Sequence, residues 1–486
     1  MATTRRALLF SFLDRYATLL IGIGSSAVLA RLLTPAEVGV YSVAAVLLAL
    51  LSTVRDFGAG QYLVQKPELD RDAIRAVWAV QLGVGLVLAL VVLLLALPVS
   101  RFYAEPRLLP LMLVLALNYA VNPFGSITYA WLMREMRFGN LAVMRFTASL
   151  VGALVSIALA WRGHGPISLA WGSLAGTLAN ALLATAFRPA DYPWLPGLRK
   201  LREVLSFGSK MAGTAVLNTV ATGAPDFLLG KLQGMEATGL YSRANGMVAM
   251  FKGLINDAVL TVAAPHFARI HREGGERETA FLKSMAYMTV VGWTFCGTLA
   301  ALAEPAVRVL YGPQWATSAA LVPALALAVA LQIPVGICHA LLTGLGLAKQ
   351  LLRGTVVATV VVVGAVWAGA LHSLPVLAWC TVAAFAFNLL LWLAVTTRSA
   401  SLRLGPMLRV AGQSLRVALP AMAPAWAVGW TMEGSSLGDS LHQLLLAGPA
   451  VAIVFVALCL ATGHPIAEEI RRAGDLLRRK LGGAAP

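Results

Sequence analysis

The chain has 486 residues, of which 59% are hydrophobic and only 12% are charged, and its mean hydropathy is +0.77. Soluble domains carry about 25% charged residues, so this composition excludes an ordinary soluble enzyme, and apolar runs along the whole length exclude a single-span receptor. The net charge of +16 would suggest nucleic acid as a partner of a soluble protein. Here the positive-inside rule explains it, and we expect no nucleic-acid partner.

The predicted elements are transmembrane helices, because lipid offers no hydrogen-bond partner for an unpaired backbone group. A span needs about 20 apolar residues. The sequence contains 14 such segments, near 8–30, 38–61, 75–98, 107–132, 141–161, 166–187, 206–230, 238–262, 281–303, 317–346, 350–371, 375–396, 408–431 and 441–462. We therefore expect an all-α integral membrane protein with about 14 transmembrane helices.

The distribution of Lys and Arg predicts the orientation of these helices. With the N-terminus in the cytoplasm, most of the 38 basic residues fall in inside segments. The outside loops contain only Arg31, Arg101, Arg107, Arg162, Lys231 and Arg308. By the positive-inside rule, both termini are expected in the cytoplasm.

Two stretches of the sequence indicate an internal duplication. Residues 30–44 (ARLLTPAEVGVYSVA) match 230–244 (GKLQGMEATGLYSRA), and LAW at 169–171 matches LAW at 377–379. A repeat of six spans enters the membrane twice from the same side, so the copies form parallel lobes around a central cavity. The predicted domains are an N-lobe (1–190), a cytoplasmic linker (191–205), a C-lobe (206–400), spans 13–14 (401–464) and a basic cytoplasmic tail (465–486).

Polar residues at membrane depth are concentrated in the first two spans of each predicted lobe. Charged side chains there are costly and usually face a cavity or a partner. The candidate cations for substrate binding are Arg15, Arg55, Arg243 and Lys252, and the candidate carboxylates for ion pairing or coupling are Asp14, Asp56, Asp226 and Asp257. Snorkelling ion pairs are an alternative for Asp14–Arg15 and Arg55–Asp56, and Asp226 could lie in the outer interface near Lys231.

Asn118 and Asn122 share a face of the fourth span. Their amides could bind sugar hydroxyls, or they could hold helices together, which is the commoner use. No phosphate-binding loop, zinc motif or nucleophile elbow is found in the sequence. We therefore expect no catalytic residue, no metal and no cofactor, apart from a possible coupling cation, Na⁺ or H⁺.

Residues 29–65 (LARLLTPAEVGVYSVAAVLLALLSTVRDFGAGQYLVQ) resemble the opening signature of bacterial polysaccharide transporters. These are the Wzx-type lipid-linked oligosaccharide flippases of the multidrug/oligosaccharidyl-lipid/polysaccharide exporter superfamily. GLYSRA (239–244) and YGPQW (311–315) are also similar to that family. The resemblance covers roughly residues 5–400.

The resemblance implies a multi-pass protein of the bacterial inner membrane that works by alternating access. Its expected substrate is an undecaprenyl-pyrophosphate-linked oligosaccharide repeat unit for exopolysaccharide, capsule or O-antigen synthesis. Arg or Lys in a desolvated cavity is a suitable partner for a diphosphate. We expect a monomer in the bilayer, with a polymerase and export machinery as further candidate partners.

Two alternatives remain open at this point. A cation-coupled multidrug exporter of the same superfamily would need acidic residues near the centre of the first lobe, and the spans hold more cations than carboxylates. A polysaccharide polymerase or ligase would carry a large outer loop by family analogy, whereas every outer loop predicted here is short.

Overall fold

The computed structural model describes residues 2–55, 59–66, 68–190, 192–193, 195–209, 212–251, 257–432 and 436–482. Within these ranges, side chains are described from Tyr16 onward, with further gaps at 54, 59, 61, 65, 206–214, 251, 257–261, 473 and 476–482. The regular elements in the described part of the chain are all helices. They are α1 (Ala2–Leu32), α2 (Pro35–Arg55), α3 (Ala59–Gln65), α4 (Arg71–Tyr103), α5 (Leu108–Val121), α6 (Pro123–Arg134), α7 (Phe138–Trp161), α8 (Ile167–Ala186), α9 (Leu201–Ser209), α10 (Ala212–Leu232), α11 (Met235–Phe251), α12 (Asp257–Glu273), α13 (Arg277–Ala301), α14 (Ala303–Leu310), α15 (Ala316–Gly344), α16 (Ala348–Ala370), α17 (Leu374–Ala400), α18 (Leu404–Ala421), α19 (Ala423–Thr431), α20 (Leu437–Thr462) and α21 (Ala467–Gly482).

Each of the 14 predicted spans overlaps at least one of these helices. Eight of the described helices are long and apolar enough to cross a membrane, and the number rises to ten if each of two bent pairs forms one span. The protein is thus an all-helical, multi-pass membrane protein. The full set of 14 spans stays a prediction.

The two bent pairs have chemical causes in their sequences. α5 and α6 meet at 46°, where Pro123 follows Asn122 and cannot donate a backbone hydrogen bond to the preceding turn. Gly85 of α4 packs into this break, since a Cβ there would lie 2.7 Å from the Tyr119 carbonyl oxygen. α13 and α14 meet at 77°, with Pro305 in the first turn of α14.

The chain divides into two compact units, Met1–Leu240 and Tyr241–Pro486, here called unit 1 and unit 2. The core of unit 1 lies where α2, α4, α5 and α8 meet, around Val43, Val92, Leu111 and Leu174. α10, which the sequence assigns to the C-lobe, packs along α2 within unit 1. The predicted lobe boundaries stay a prediction.

Unit 2 is built around α15, which packs against α12, α13, α14, α16 and α17. The predicted spans 13 and 14 also pack inside this unit, because α18 contacts α13 and α20 contacts α14. A buried hydroxyl pair joins α13 to α18, with 2.8 Å between Thr289 Oγ1 and Ser414 Oγ. The two C-terminal spans are therefore integrated into unit 2 rather than loosely attached to it.

The predicted cytoplasmic linker folds back onto unit 1. The Lys200 ammonium donates to Asp70 at 2.7 Å, and the amide of Gly197 donates to the Arg75 carbonyl at 3.0 Å. The hydrogen bond from Lys200 holds the pKa of the Asp70 carboxyl below its usual range. Two further ion pairs, Arg199–Asp72 and Lys66–Glu203, are each 3.3 Å long. Together these contacts attach the linker to the start of α4 and to the end of α3.

Candidate functional site

An open cavity of about 500 Å³ lies on unit 1, among α1, α2, α7, α8 and the α5–α6 break. Its polar lining consists of uncharged hydroxyl and amide side chains, namely Thr18, Ser25, Tyr41, Asn122, Ser149, Ser156, Ser173, Thr177 and Asn180. No Asp, Glu, Lys or Arg is found among its described lining residues. The described hydroxyl and amide groups can exchange hydrogen bonds with a neutral, hydroxyl-rich group.

The cavity borders on a tight contact between α7 and α8 that small residues make possible. A Cβ on Gly172 would lie 1.8 Å from Ser156 Oγ and 2.6 Å from the Gly152 carbonyl oxygen. In the same way, a Cβ on Gly176 would lie 2.8 Å from the Ala148 carbonyl oxygen. Small residues let helix backbones approach closely in a bilayer. They also leave hydroxyl groups rather than bulky side chains along the cavity wall.

Asn118 lies in the last turn of α5, and Asn122 follows the end of this helix, next to Pro123. Thr177 Oγ1 on α8 donates to Asn118 Oδ1 at 2.6 Å, so Asn118 links two helices. Asn118 Nδ2 is buried without a hydrogen-bond partner among the described groups. Asn122 lines the cavity at the helix break. The structure thus gives Asn118 an interhelical contact and leaves Asn122 facing open space.

Arg55 ends α2 beside the same region of unit 1. Its guanidinium carbon is 5.9 Å from the ring centroid of Tyr119. Tyr119 is held in place by donating to the Leu48 carbonyl at 2.6 Å, and its hydroxyl is 3.1 Å from Ser52 Oγ. Asn118 is adjacent to Tyr119 on α5, but neighbouring residues of a helix do not share a face.

Arg243 lies in unit 2 against two aromatic rings. Its guanidinium carbon is 5.4 Å from the ring centroids of both Tyr311 and Trp315. Gly312 has a φ of +99°, which a residue with a Cβ rarely adopts, and this turn brings the fully buried Trp315 back beside Tyr311. The two second-half motifs of the sequence, GLYSRA and YGPQW, are thus in direct contact.

Asp226 lies on α10 in unit 1, where its Oδ1 is buried without a hydrogen-bond partner among the described groups. Lys231, five residues further on, donates to the Phe102 carbonyl at 2.5 Å and lies 4.5 Å from the Phe102 ring centroid. An ionisable group at membrane depth is a functional candidate by default. The prediction that Asp226 takes part in coupling stands untested.

Several predicted site residues lie outside the described residues. These are Asp56 and Lys252, together with the side chains of Asp14, Arg15 and Asp257. Their proposed roles rest on the sequence. Within the side chains that the structure describes, no group of three or more His, Cys, Asp or Glu residues could hold a metal ion.

Sequence reasoning missed the polar contribution of α7 and α8. Ser173, Thr177 and Asn180 follow one another at steps of four and three, which places them on one helical face. Ser149 and Ser156 are seven residues apart on α7 and likewise share a face. These spacings could have identified both faces. However, uncharged hydroxyl and amide groups at membrane depth are a weaker sequence signal than a charged Arg or Asp.

Apolar helices that are long enough to cross a membrane and that leave an open recess between them are the architecture of a membrane transport protein. A sequence profile described as polysaccharide biosynthesis protein matches residues 28–320. The chain therefore belongs to the polysaccharide biosynthesis protein family.

Comparisons with individual proteins agree with this assignment. The chain is 26% identical to the succinoglycan biosynthesis transport protein ExoT of Rhizobium meliloti (strain 1021), over 100% of this chain and 97% of that protein. It is 24% identical to the lipopolysaccharide biosynthesis protein WzxC of Escherichia coli (strain K12), over 61% of each chain.

Solved structures share the fold. The lipid II flippase MurJ in an inward closed conformation superimposes with a TM-score of 0.76 at 14% identity, covering 93% of this chain and 99% of that one. An inward-facing multidrug resistance MATE family transporter of the MOP superfamily gives 0.56 at 15% identity, covering 83% and 94%. The chain thus shares the helical fold of these two transporters over most of its length.

Proposed function

We propose that this protein is a flippase that moves undecaprenyl-pyrophosphate-linked oligosaccharide repeat units across the bacterial inner membrane for exopolysaccharide, capsule or O-antigen synthesis. One observation carries the proposal: the chain matches a succinoglycan biosynthesis transport protein along its whole length. The cavity in unit 1 supports it, since hydroxyl and amide side chains are suitable partners for sugar hydroxyls. Both termini are proposed to lie in the cytoplasm.

The proposed mechanism is alternating access between two six-helix lobes. Arg15, Arg55, Arg243 and Lys252 are proposed to compensate the diphosphate charge, because cations in a desolvated cavity make strong charge-assisted hydrogen bonds. Asn118 and Asn122 would contact the saccharide. Asp14, Asp56, Asp226 and Asp257 would orient the cations or bind a coupling cation. The packing of Arg243 against Tyr311 and Trp315 also suits a structural anchor.

The cavity lining also bears on the multidrug alternative. A cationic drug needs a carboxylate or an aromatic cage, and none of the described residues that line the unit 1 cavity is acidic. The described hydroxyl and amide groups of this lining are suitable partners for a neutral, hydroxyl-rich ligand group.

Deletion of the gene tests the proposed function. Surface polysaccharide should disappear while lipid-linked repeat units accumulate inside, and the wild-type chain should restore export. Lys252→Ala at normal expression should fail to restore it, whereas Lys349→Ala, at the exposed start of α16, should succeed. Unchanged polymer in the deletion strain, with new sensitivity to cationic dyes, would contradict the proposal in favour of a drug exporter.

A further inference from the structure

α18 of unit 2 carries a polar stripe on its exposed surface. Arg409, Gln413 and Arg416 are all exposed, and their spacing of four and three residues places them on one face of the helix. The other side of α18 is packed into the unit, where Val417 and Ala418 are fully buried. The stripe thus lies on the outside of a helix that is well anchored by its apolar face.

The stripe has a positive charge that no described residue neutralises. α18 contains no Asp or Glu, and Arg409, Gln413 and Arg416 form no ion pair or hydrogen bond with another described residue. Arg403, just before the helix, differs because it pairs with Glu278 at 3.5 Å. Charged side chains that border lipid usually have a partner or face water, so the stripe is complementary to an anion.

The level of the stripe in the bilayer follows from its neighbours. Ser414, next to Gln413, has its Oγ 3.4 Å from His464 Nε2. His464 comes just after the end of α20 at Thr462, and α20 is long and apolar enough to cross a membrane. The predicted topology places this end of α20 at the cytoplasmic face. The stripe therefore lies at the level of the inner-leaflet phosphates rather than at the bilayer centre.

Helix geometry directs the two guanidinium groups to the same side. In an α-helix the Cα–Cβ bonds tilt toward the N-terminus, and a long side chain covers the turn before its own Cα. α18 starts on the cytoplasmic side in the predicted topology, so Arg416 is directed toward the inner surface and toward Gln413 and Arg409. The three side chains can thus converge on one phosphate group.

A glycine lies one turn before each arginine. Gly405 precedes Arg409 by four residues, and Gly412 precedes Arg416 by four. A Cβ at either glycine would have no atom within 4 Å. Because each arginine side chain extends over the turn that contains its glycine, the surface beside both guanidinium groups is open to a ligand.

A stripe of leucines runs next to the polar stripe. Leu408, Leu415 and Leu419 are 59%, 41% and 59% exposed, and their spacing of seven and four residues places them on one face. Leu408 and Leu415 each come one position before an arginine of the polar stripe. The exposed surface of α18 thus has a cationic half and an apolar half side by side, as an anionic lipid requires.

We propose that this face of α18 binds an anionic glycerophospholipid of the inner leaflet. Arg409, Gln413 and Arg416 hold its phosphate, the arginines through charge-assisted hydrogen bonds, and its acyl chains lie along the leucine stripe. The inference rests on the predicted topology and not on the identity of the transported substrate. A free phosphate ion would use only the cationic half of this surface.

Lipid binding to the purified chain in detergent tests the site. Phosphatidylglycerol is the probe, and phosphatidylethanolamine with the same acyl chains is its zwitterionic counterpart. Native mass spectrometry counts the bound lipids, and a titration gives the apparent Kd of each. Phosphatidylglycerol should bind roughly tenfold more tightly, because the ammonium group of the other lipid is repelled by the two guanidinium groups.

Two double variants separate the site from basic surface in general. Arg409→Gln combined with Arg416→Gln should abolish the preference for phosphatidylglycerol. Arg353→Gln combined with Arg398→Gln removes the same charge from exposed positions of α16 and α17 and should retain the preference. Melting curves without added lipid show whether each variant is folded.

Gly412→Leu tests the shape of the site without changing its charge. The leucine fills the open surface beside Arg416 and should weaken phosphatidylglycerol binding several-fold. Gly364→Leu is the matched control, because Gly364 is an exposed glycine of α16 with no atom within 4 Å of a built Cβ. It should bind the lipid as the wild type does.

Four results would overturn the proposal. Equal affinity of the wild type for both lipids would remove the anionic preference, and equal losses in the two double variants would assign the effect to basic surface in general. Displacement of phosphatidylglycerol by inorganic phosphate alone would indicate a free-anion site. Displacement by undecaprenyl diphosphate at a lower concentration would assign the face to the transported substrate. None of these measurements uses polymer export, so the lipid site and the proposed function can fail independently.

Discussion

The role of Arg243 can be decided by replacing it with lysine. Arg243→Lys keeps the positive charge but removes the planar guanidinium, which can lie over an aromatic face in a way that an ammonium group cannot. If Arg243 is an anchor for Tyr311 and Trp315, the substitution should lower stability. If it binds a diphosphate headgroup mainly through charge, stability should stay near that of the wild type.

The expected size of the effect follows from the two ring contacts. Both centroid distances are 5.4 Å, within the range of about 6 Å for cation–π attraction, and each contact is worth roughly 0.5–1 kcal/mol or more when desolvated. Because a lysine ammonium can still be attracted to a ring face, loss of both contacts, about 1–2 kcal/mol, is the upper limit for Arg243→Lys. For a unit of this size, that corresponds to a decrease in melting temperature of roughly 2–8 °C.

The assay is thermal unfolding of the purified protein in detergent. Unfolding is monitored by the reaction of its cysteines with a fluorescent thiol probe. Arg308→Lys is the control, because Arg308 forms an (i, i+4) pair with Glu304 at 2.7 Å and such pairs contribute about 0.3–0.5 kcal/mol. Wild-type melting of Arg243→Lys, combined with lost export, would refute the anchor and favour substrate contact.

Three further outcomes are expected. Thr177→Val should destabilise the protein by roughly 1 kcal/mol, because a partly buried acceptor on Asn118 loses its donor, and a melting curve would show it. Gly172→Ala should cost about 1–3 kcal/mol by overpacking the α7–α8 contact, which the same measurement detects. Acid should release the linker. The pKa of Asp70 is lowered in the folded state, so Asp70 stabilises the folded linker above its unfolded pKa near 3.9. This stabilisation is lost as the pH falls through the folded pKa of Asp70. Hydrogen exchange of the linker amides would report the loss.

Matched variants test these reasons. Thr185→Val should change the melting temperature less than Thr177→Val, since Thr185 Oγ1 donates within its own helix, to the Ala181 carbonyl. Gly83→Ala should be neutral, as no atom lies within 4 Å of a Cβ there. Lys200→Met should reduce the acid dependence of linker protection, while the Arg199–Asp72 and Lys66–Glu203 pairs retain the rest. Equal effects of each variant and its control would contradict the corresponding explanation.

The sequence by itself determined that this is a multi-pass helical membrane protein. Composition and the recurrence of 20-residue apolar segments suffice for that, because the bilayer leaves the backbone few other solutions. The signature at 29–65 also indicated the family. These properties depend on local composition and on residues close together in the chain, and therefore can be recognised without knowing which helices touch.

The tertiary structure decided which polar residues share a surface. Asn118 and Thr177 are 59 positions apart and hydrogen-bond across two helices, while the stripes on α7 and α8 face a cavity that spacing alone does not reveal. The same holds for Gly39 and Gly239: the sequence shows that they are repeated, but only the packing of α2 against α11 shows that their backbones touch. Helix spacing fixes the face on which a residue lies, whereas the partner of that face depends on how distant segments pack.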